Sequence, residues 1–196
     1  MIVATVLAAG ASIRMGSPKA LLEFEGRTFL RSILDALADL GLQRLVALGH
    51  DADKILAQHD LRGVTTVTNQ HLAHGPIGSI RASIQAVEDI PVKGLLVWPV
   101  DFPHVKLNTA RKLIDCFQAD DGPAIAIPTF EGKGGHPVIF GKQTFEELMA
   151  VPESEGARSV VHRVRGRVAR IAVADRAVTD CINTPEAYRE LLLRGA

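Results

Sequence analysis

Three groups of residues in this 196-residue chain have the types and spacing to do chemistry on phosphate groups. The first is Leu7-Ala8-Ala9-Gly10-Ala11-Ser12-Ile13-Arg14-Met15-Gly16-Ser17-Pro18-Lys19. Its alanines and glycines let backbone N–H groups come close to an anion, and Arg14 and Lys19 add two cations to the same loop. Such a loop suits the phosphates of a nucleoside triphosphate. It is not the dinucleotide fingerprint, which needs three glycines, nor a Walker loop, because no Gly-Lys-Ser/Thr follows. The second group is Pro99-Val100-Asp101-Phe102-Pro103. The prolines restrict the backbone around Asp101, so its carboxylate can hold Mg²⁺ against substrate phosphates or cap the next turn. With a phosphate loop at a neighbouring strand end, the metal reading is preferred. The third group runs from Asn69 through Gly75 and Gly78 to Ser79. It offers an amide that both donates and accepts and glycines that admit a base or ribose, or else it is an ordinary helix start.

Two further residues stand out late in the chain. His136, in Gly134-Gly135-His136-Pro137, could contact an acceptor phosphate, donate to a leaving oxygen, or be structural. Asn183 could be a second metal ligand or part of a turn. Cys116 and Cys181 are far apart and read as reduced structural thiols rather than a disulfide or metal pair.

These groups need a frame. Residues 2–7 are almost wholly apolar, as in a strand buried on both faces of a parallel sheet. Phe29, Leu30, Ile33, Leu34, Leu37 and Leu40 recur at helical spacing, and Gly41 supplies a stop. Strands are expected at 45–48, 64–68, 95–98 and 124–127, with a short helix capped by Asp51 and helix faces at Ile80, Ile84 and Val87 and again at Leu107 to Phe117. After residue 130 the rhythm loosens to a short strand at 137–140, a helix at 144–149, a polar loop at 152–156 and a late strand at 168–173. Thr184-Pro185-Glu186 opens a final helix, with threonine as N-cap. The alternation implies right-handed βαβ units in a Rossmann-like three-layer α/β/α sandwich with a mostly parallel sheet. Ligands then sit beyond the carboxyl ends of the strands, where all three groups fall.

Residues 1–196 are expected to form a single domain. With 22 basic and 22 acidic residues the formal charge is zero, which argues against an extended nucleic-acid or anionic-membrane surface. Attraction for phosphate must be local. No apolar run is long enough to span a bilayer, so a cytoplasmic protein is expected, as a monomer or weak homo-oligomer.

The first loop, the Asn69/Gly75/Ser79 spacing, the Asp101 turn, Gly135-His136-Pro137-Val138-Ile139-Phe140 and Ile182-Asn183-Thr184-Pro185-Glu186-Ala187-Tyr188 occur in that order. Together they resemble the MobA-like nucleotidyltransferases across essentially the whole chain, and within them the molybdenum cofactor cytidylyltransferases. The resemblance implies a nucleotide-diphospho-sugar transferase-like fold and transfer of a nucleoside monophosphate, CMP from CTP, to the phosphate of molybdopterin. Leu7 to Gly10, Asn69, Gly75 and Ser79 would take the nucleoside, and Arg14 and Lys19 the triphosphate. Asp101 and Asn183 would bind Mg²⁺, and His136 would meet the acceptor. Cys181-Ile182-Asn183 departs from the subgroup's Asp-Ile-Asp. Ala9 stands where the guanylyl-transferring branch carries a second glycine, which leans toward a pyrimidine nucleotide. A sugar phosphate as acceptor and a non-catalytic nucleotide-binding module are the alternatives.

Overall fold

A computed structural model describes residues 1–70 and 75–194. Strand β1 (Ile2–Ala8) lies in the middle of the sheet and is buried along nearly its whole length. Its side chains alternate between two cores, as a two-residue period requires. Ile2, Ala4, Val6 and Ala8 face one cluster, and Val3 faces the other. Thr5 is also wholly buried, and its hydroxyl is 2.8 Å from that of Ser83.

Helices cover both faces. Helix α1 (Phe29–Asp39) starts where Thr28 accepts from the Arg31 amide, and it buries Phe29, Leu30, Ile33, Leu34 and Leu37. With α2 (Ala52–Gln58), α4 (Leu107–Gln118) and α7 (Pro185–Arg194) it packs on the first face. On the second face lie α3 (Pro76–Gln85), α5 (Phe145–Ala150) and α6 (Gly156–Arg163). This is the expected three-layer sandwich.

The remaining strands are β2 (Glu23–Phe24), β3 (Arg27–Thr28), β4 (Gln43–Leu48), β5 (Thr65–Thr68), β6 (Gly94–Pro99), β7 (Ile125–Phe130), β8 (Lys133–Gly134), β9 (Val138–Gly141) and β10 (Val168–Ala172). The main sheet runs β10-β7-β9-β6-β1-β4-β5, with β8 paired to β7. β1 is parallel to β4 and β6, and β10 is parallel to β7. β9 lies antiparallel between β6 and β7, and the short β8 is also antiparallel to β7. The crossover through α4 skips one strand position, and the chain returns to fill it. β2 and β3 form a separate two-stranded ribbon.

Several local expectations are corrected. The 152–156 loop leads into α6, a helix absent from the sequence reading. Asp51 precedes α2 but makes no cap bond, its carboxylate instead accepting from Lys54 Nζ at 2.8 Å. Gly78 does not give a ligand room. A Cβ there would lie 2.8 Å from Asn69 Oδ1, so the glycine makes space for that amide. Gly135 is similar, since a Cβ would meet the Val178 carbonyl at 2.0 Å. The backbone at 135–136 is laced down by Gly135 N–H to the Pro128 carbonyl and His136 N–H to the Val178 carbonyl.

Trp98, wholly buried at the end of β6, donates its indole N–H to the Phe102 carbonyl at 2.9 Å. That bond closes the turn carrying Asp101. Trp98→Phe keeps the apolar packing but strands the carbonyl, which should cost about 1–3 kcal/mol. Urea denaturation of the two proteins measures it, and an unchanged midpoint would contradict this role for the indole.

Candidate active site

The first loop and the Asp101 turn are neighbours because β1 and β6 pair in parallel to their ends, with Leu7 opposite Pro99. The Val100 N–H donates to the Leu7 carbonyl at 3.1 Å, so the register continues into the turn. A second anchor comes from the far end of the chain, where the Ile182 N–H donates to the Asp101 carbonyl at 2.8 Å. The phosphate-type loop is ordered from within. Ser12, at φ 49°, accepts from the Met15 and Gly16 amides through its carbonyl. Its hydroxyl accepts from the Lys19 N–H at 3.0 Å. The loop therefore turns back and delivers Lys19 to the sheet edge.

There Lys19 Nζ lies 3.0 Å from Asp101 Oδ2, and each side chain keeps less than a fifth of its surface exposed. Cys181 supplies a third group, its thiol donating to the same oxygen at 3.2 Å. The Asn183 side chain lies close enough to the thiol to act on it. Cys181 is a reduced thiol, as expected, and it also contacts the Asp101 carboxylate. The available signal was its place in the Cys181-Ile182-Asn183 segment, where the resembling subgroup carries carboxylates. Burial pushes the Cys181 thiol up to about 12, the Asp101 charge and the bond to it add to the rise, and Lys19 and Asn183 oppose it.

The trio opens onto a cavity of about 840 Å³ lined by residues of β1, β6, β7, β9, β10, α3 and α6 and the loops above them. Leu7, Ala8, Ala9, Gly10, Lys19, Asn69, Gly75, Ser79, Asp101 and His136 all line it. Asn69 and Ser79 are buried and joined by a bond from Asn69 Nδ2 to Ser79 Oγ at 3.1 Å. Residues 71–74 of that segment lie outside the described residues. His136 packs against Phe102 with ring centroids 4.9 Å apart, and its buried Nδ1 has no hydrogen-bond partner among the described residues. Burial holds this imidazole below the ordinary histidine range, against the pull of Asp101. Two candidates lie apart from the lining. Arg14 is exposed on the loop, and Asn183, two residues past Cys181, is half-buried. Arg158, His162 and Arg170 line the cavity without having been singled out in the sequence. Helical or strand spacing alone gives no sign of which surface arginines face a cavity.

The donors beside Asp101 suit a hard cation. Both side-chain bonds to its carboxylate fall on Oδ2, and none from the described residues falls on Oδ1. A carboxylate oxygen and the Asn183 amide oxygen match the preference of such ions, whereas a protonated thiol is not a ligand for one. Because the raised thiol stays neutral, it should resist alkylation. With EDTA present, iodoacetamide at pH 8.5 should leave Cys181 largely unmodified by mass spectrometry. Asp101→Asn, which removes the neighbouring charge, should speed the labelling, and rapid labelling of the unaltered protein would contradict the assignment. As the native thiol ionises only near 12, stability should fall as pH rises from about 9, where the unfolded thiol already loses its proton.

The MobA-like NTP transferase domain matches residues 4–168. The chain is 26% identical over 195 residues to a probable molybdenum cofactor guanylyltransferase of Bacillus cytotoxicus, covering 95% of this chain and 94% of that protein. Among solved structures, Rv0371c from Mycobacterium tuberculosis H37Rv superimposes with a TM-score of 0.87 at 31% identity, over 98% of this chain and 97% of that one. A manganese complex of Rv0371c has a TM-score of 0.80 at 30% identity, with 98% of each chain covered. The parallel β1–β6 edge, its paired lysine and aspartate and these likenesses agree, and the chain belongs to the MobA-like NTP transferase family of nucleotidyltransferases.

Proposed function

We propose that the protein transfers CMP from CTP to a phosphate-bearing acceptor of the molybdopterin type, with Mg²⁺, and releases pyrophosphate. One observation carries this reading. A lysine and an aspartate meet at 3.0 Å where two parallel strands end, at the mouth of a cavity large enough for two substrates. Nucleotidyl transfer needs little covalent chemistry from the protein. It needs reactants held in line and charge offset as it shifts. An oxygen of the acceptor phosphate forms a bond to the α-phosphorus. The bond from that phosphorus to the oxygen bridging to the β-phosphate breaks, and its electron pair leaves with pyrophosphate.

Each residue has a place in this scheme. Asp101, with the Asn183 amide, would hold the Mg²⁺, which neutralises phosphate charge when bound. Lys19, released from Asp101 as the triphosphate enters, places its ammonium on the phosphates. Arg14, exposed on the same loop, closes on them from the solvent side. The backbone from Leu7 to Gly10, with Asn69, Gly75 and Ser79, frames the nucleoside. His136 presents its buried unpartnered nitrogen to the acceptor.

The base is the finer question. Ala9 is 7% exposed and lines the cavity, so its methyl narrows the wall that glycine would leave open. This supports the smaller pyrimidine. The name of the Bacillus relative favours guanine instead, and that is the second reading.

Pyrophosphate release from each NTP, with molybdopterin as acceptor, separates them. CTP should give the highest kcat/KM, and a preference for GTP would overturn the cytidylyl reading while leaving nucleotidyl transfer intact. Lys19→Ala and Asp101→Ala should keep the fold by circular dichroism and lower kcat by about 10²–10³ or more, the scale of one lost preorganised charge-stabilising group. Turnover at the wild-type rate in either variant would refute the proposed site.

A further inference from the structure

Strand β10 forms one edge of the main sheet, beside β7. Val168 at its start packs on the second core, and Arg170, two residues along, faces the same side by strand alternation. A charged residue on an edge strand ordinarily extends into solvent and guards the edge. Arg170 leans inward instead. It stands opposite Ile127 in the register. A Cβ on Gly134 would come 3.3 Å from Arg170 Nη1 and 3.4 Å from the Ile127 side chain. Thr129 of β7 pairs with Ala172 of β10 on one edge and with Gly134 of β8 on the other. The arginine stem therefore crosses β7 past Ile127, and its head rests beside Gly134, where the missing side chain leaves it room. Arg170 lines the large cavity and has no ion-pair or hydrogen-bond partner among the described residues. A cation placed this way is stabilised by an anion that enters the cavity.

The segment after Gly134 leads from that head to the nucleotidyl site. His136 is two residues on, about 7 Å at the rise of an extended chain. Its backbone is tied to the Val178 carbonyl, and its ring packs on Phe102, the residue after Asp101. Its buried Nδ1 has no partner among the described residues. Asp101, His136, Gly134 and Arg170 all line the same cavity. One phosphate, hydrogen-bonded on separate oxygens at about 2.8 Å, spans the gap between the imidazole and the guanidinium. A phosphate there also lies next to the Asp101 turn, where attack on the α-phosphorus has to occur. In the scheme above Lys19 and Arg14 serve the triphosphate. The attacking phosphate is itself an anion and meets like charge unless a further cation accompanies it. The planar fork of an arginine matches a phosphate with two parallel hydrogen bonds.

We propose that Arg170, together with His136, holds the single phosphate of the acceptor and places it for attack. This rests on the transferase reading for the acceptor's presence in the cavity. Arg170 then makes the site specific for acceptors that carry a phosphate monoester, and it does so without serving the nucleotide.

Inorganic phosphate is the probe, followed by isothermal titration calorimetry with CTP saturating the first loop and EDTA suppressing turnover. The unaltered protein should bind phosphate, and R170Q should weaken that binding by about tenfold or more, the scale of lost charge-assisted hydrogen bonds. R170K keeps the charge but not the fork and should fall between the two. In turnover, R170Q should raise KM for molybdopterin by about tenfold or more with KM for CTP unchanged. Equal phosphate affinity in R170Q, loss of phosphate binding once CTP is present, or a rise in KM for CTP instead would overturn the proposal. In the last case the arginine serves the triphosphate. Failure of the transferase reading has a different signature: no NTP releases pyrophosphate, and phosphate titrations of the unaltered protein and R170Q without CTP still decide whether Arg170 holds a phosphate. Arg170 is exposed and has no partner among the described residues, so R170Q should fold normally by circular dichroism.

Discussion

The site depends on the parallel pairing of β1 and β6 out to their last residues. That pairing puts the loop after β1 and the turn after β6 side by side, and the Val100 amide bond to Leu7 carries the register one residue past the strands. A carboxylate and an ammonium separated by 82 positions in the chain then meet at 3.0 Å. The Asp101 turn is fixed from two other directions, by the Trp98 indole and by the Ile182 amide. A turn pinned in this way keeps its charge in place without reorganising when a substrate arrives, which is how electrostatic catalysis gains its advantage over water.

Cys181 changes the electrostatic balance at this point. A thiol held neutral donates to Asp101 where a carboxylate would add a second negative charge. Asp101 is therefore the sole charged acceptor of the trio, and the Lys19 ammonium is offset by it alone. In the proposed site, Asp101 and the Asn183 amide would offer a metal ion a small negative set, which would favour sharing it with substrate phosphates over holding it tightly without them. Local charge elsewhere follows the same economy. The chain is neutral overall, yet Arg158, His162 and Arg170 all line the cavity.

The layers of the sandwich also divide the work. Helices α1, α2, α4 and α7 seal one face of the sheet with apolar side chains. On the other face, α3 and α6 pack against the sheet near its base while their residues Ser79, Arg158 and His162 reach the cavity above. β9, threaded backwards between β6 and β7, widens the sheet and carries the apolar cavity wall of Val138 and Phe140.

Much of this was written in local chemistry. The apolar run of β1, the helical spacing of α1 with Gly41 behind it and the Thr184 cap of α7 are short-range patterns, and each forms as the residues imply. The loop around Lys19 and the proline-bracketed Asp101 were equally legible, because backbone constraint and charge are properties of neighbours in sequence. What the chain alone left open depends on long-range placement. The reversed direction of β9, the helix at α6, Asn69 resting on Gly78, and Cys181 bonded to Asp101 arise from segments tens of residues apart meeting in the folded state. Side-chain orientation into a cavity is likewise decided by packing, so an arginine that lines it reads in sequence like any solvated one. Local types and spacings determined the elements and the central acid and lysine, and the tertiary structure decided which distant groups surround them.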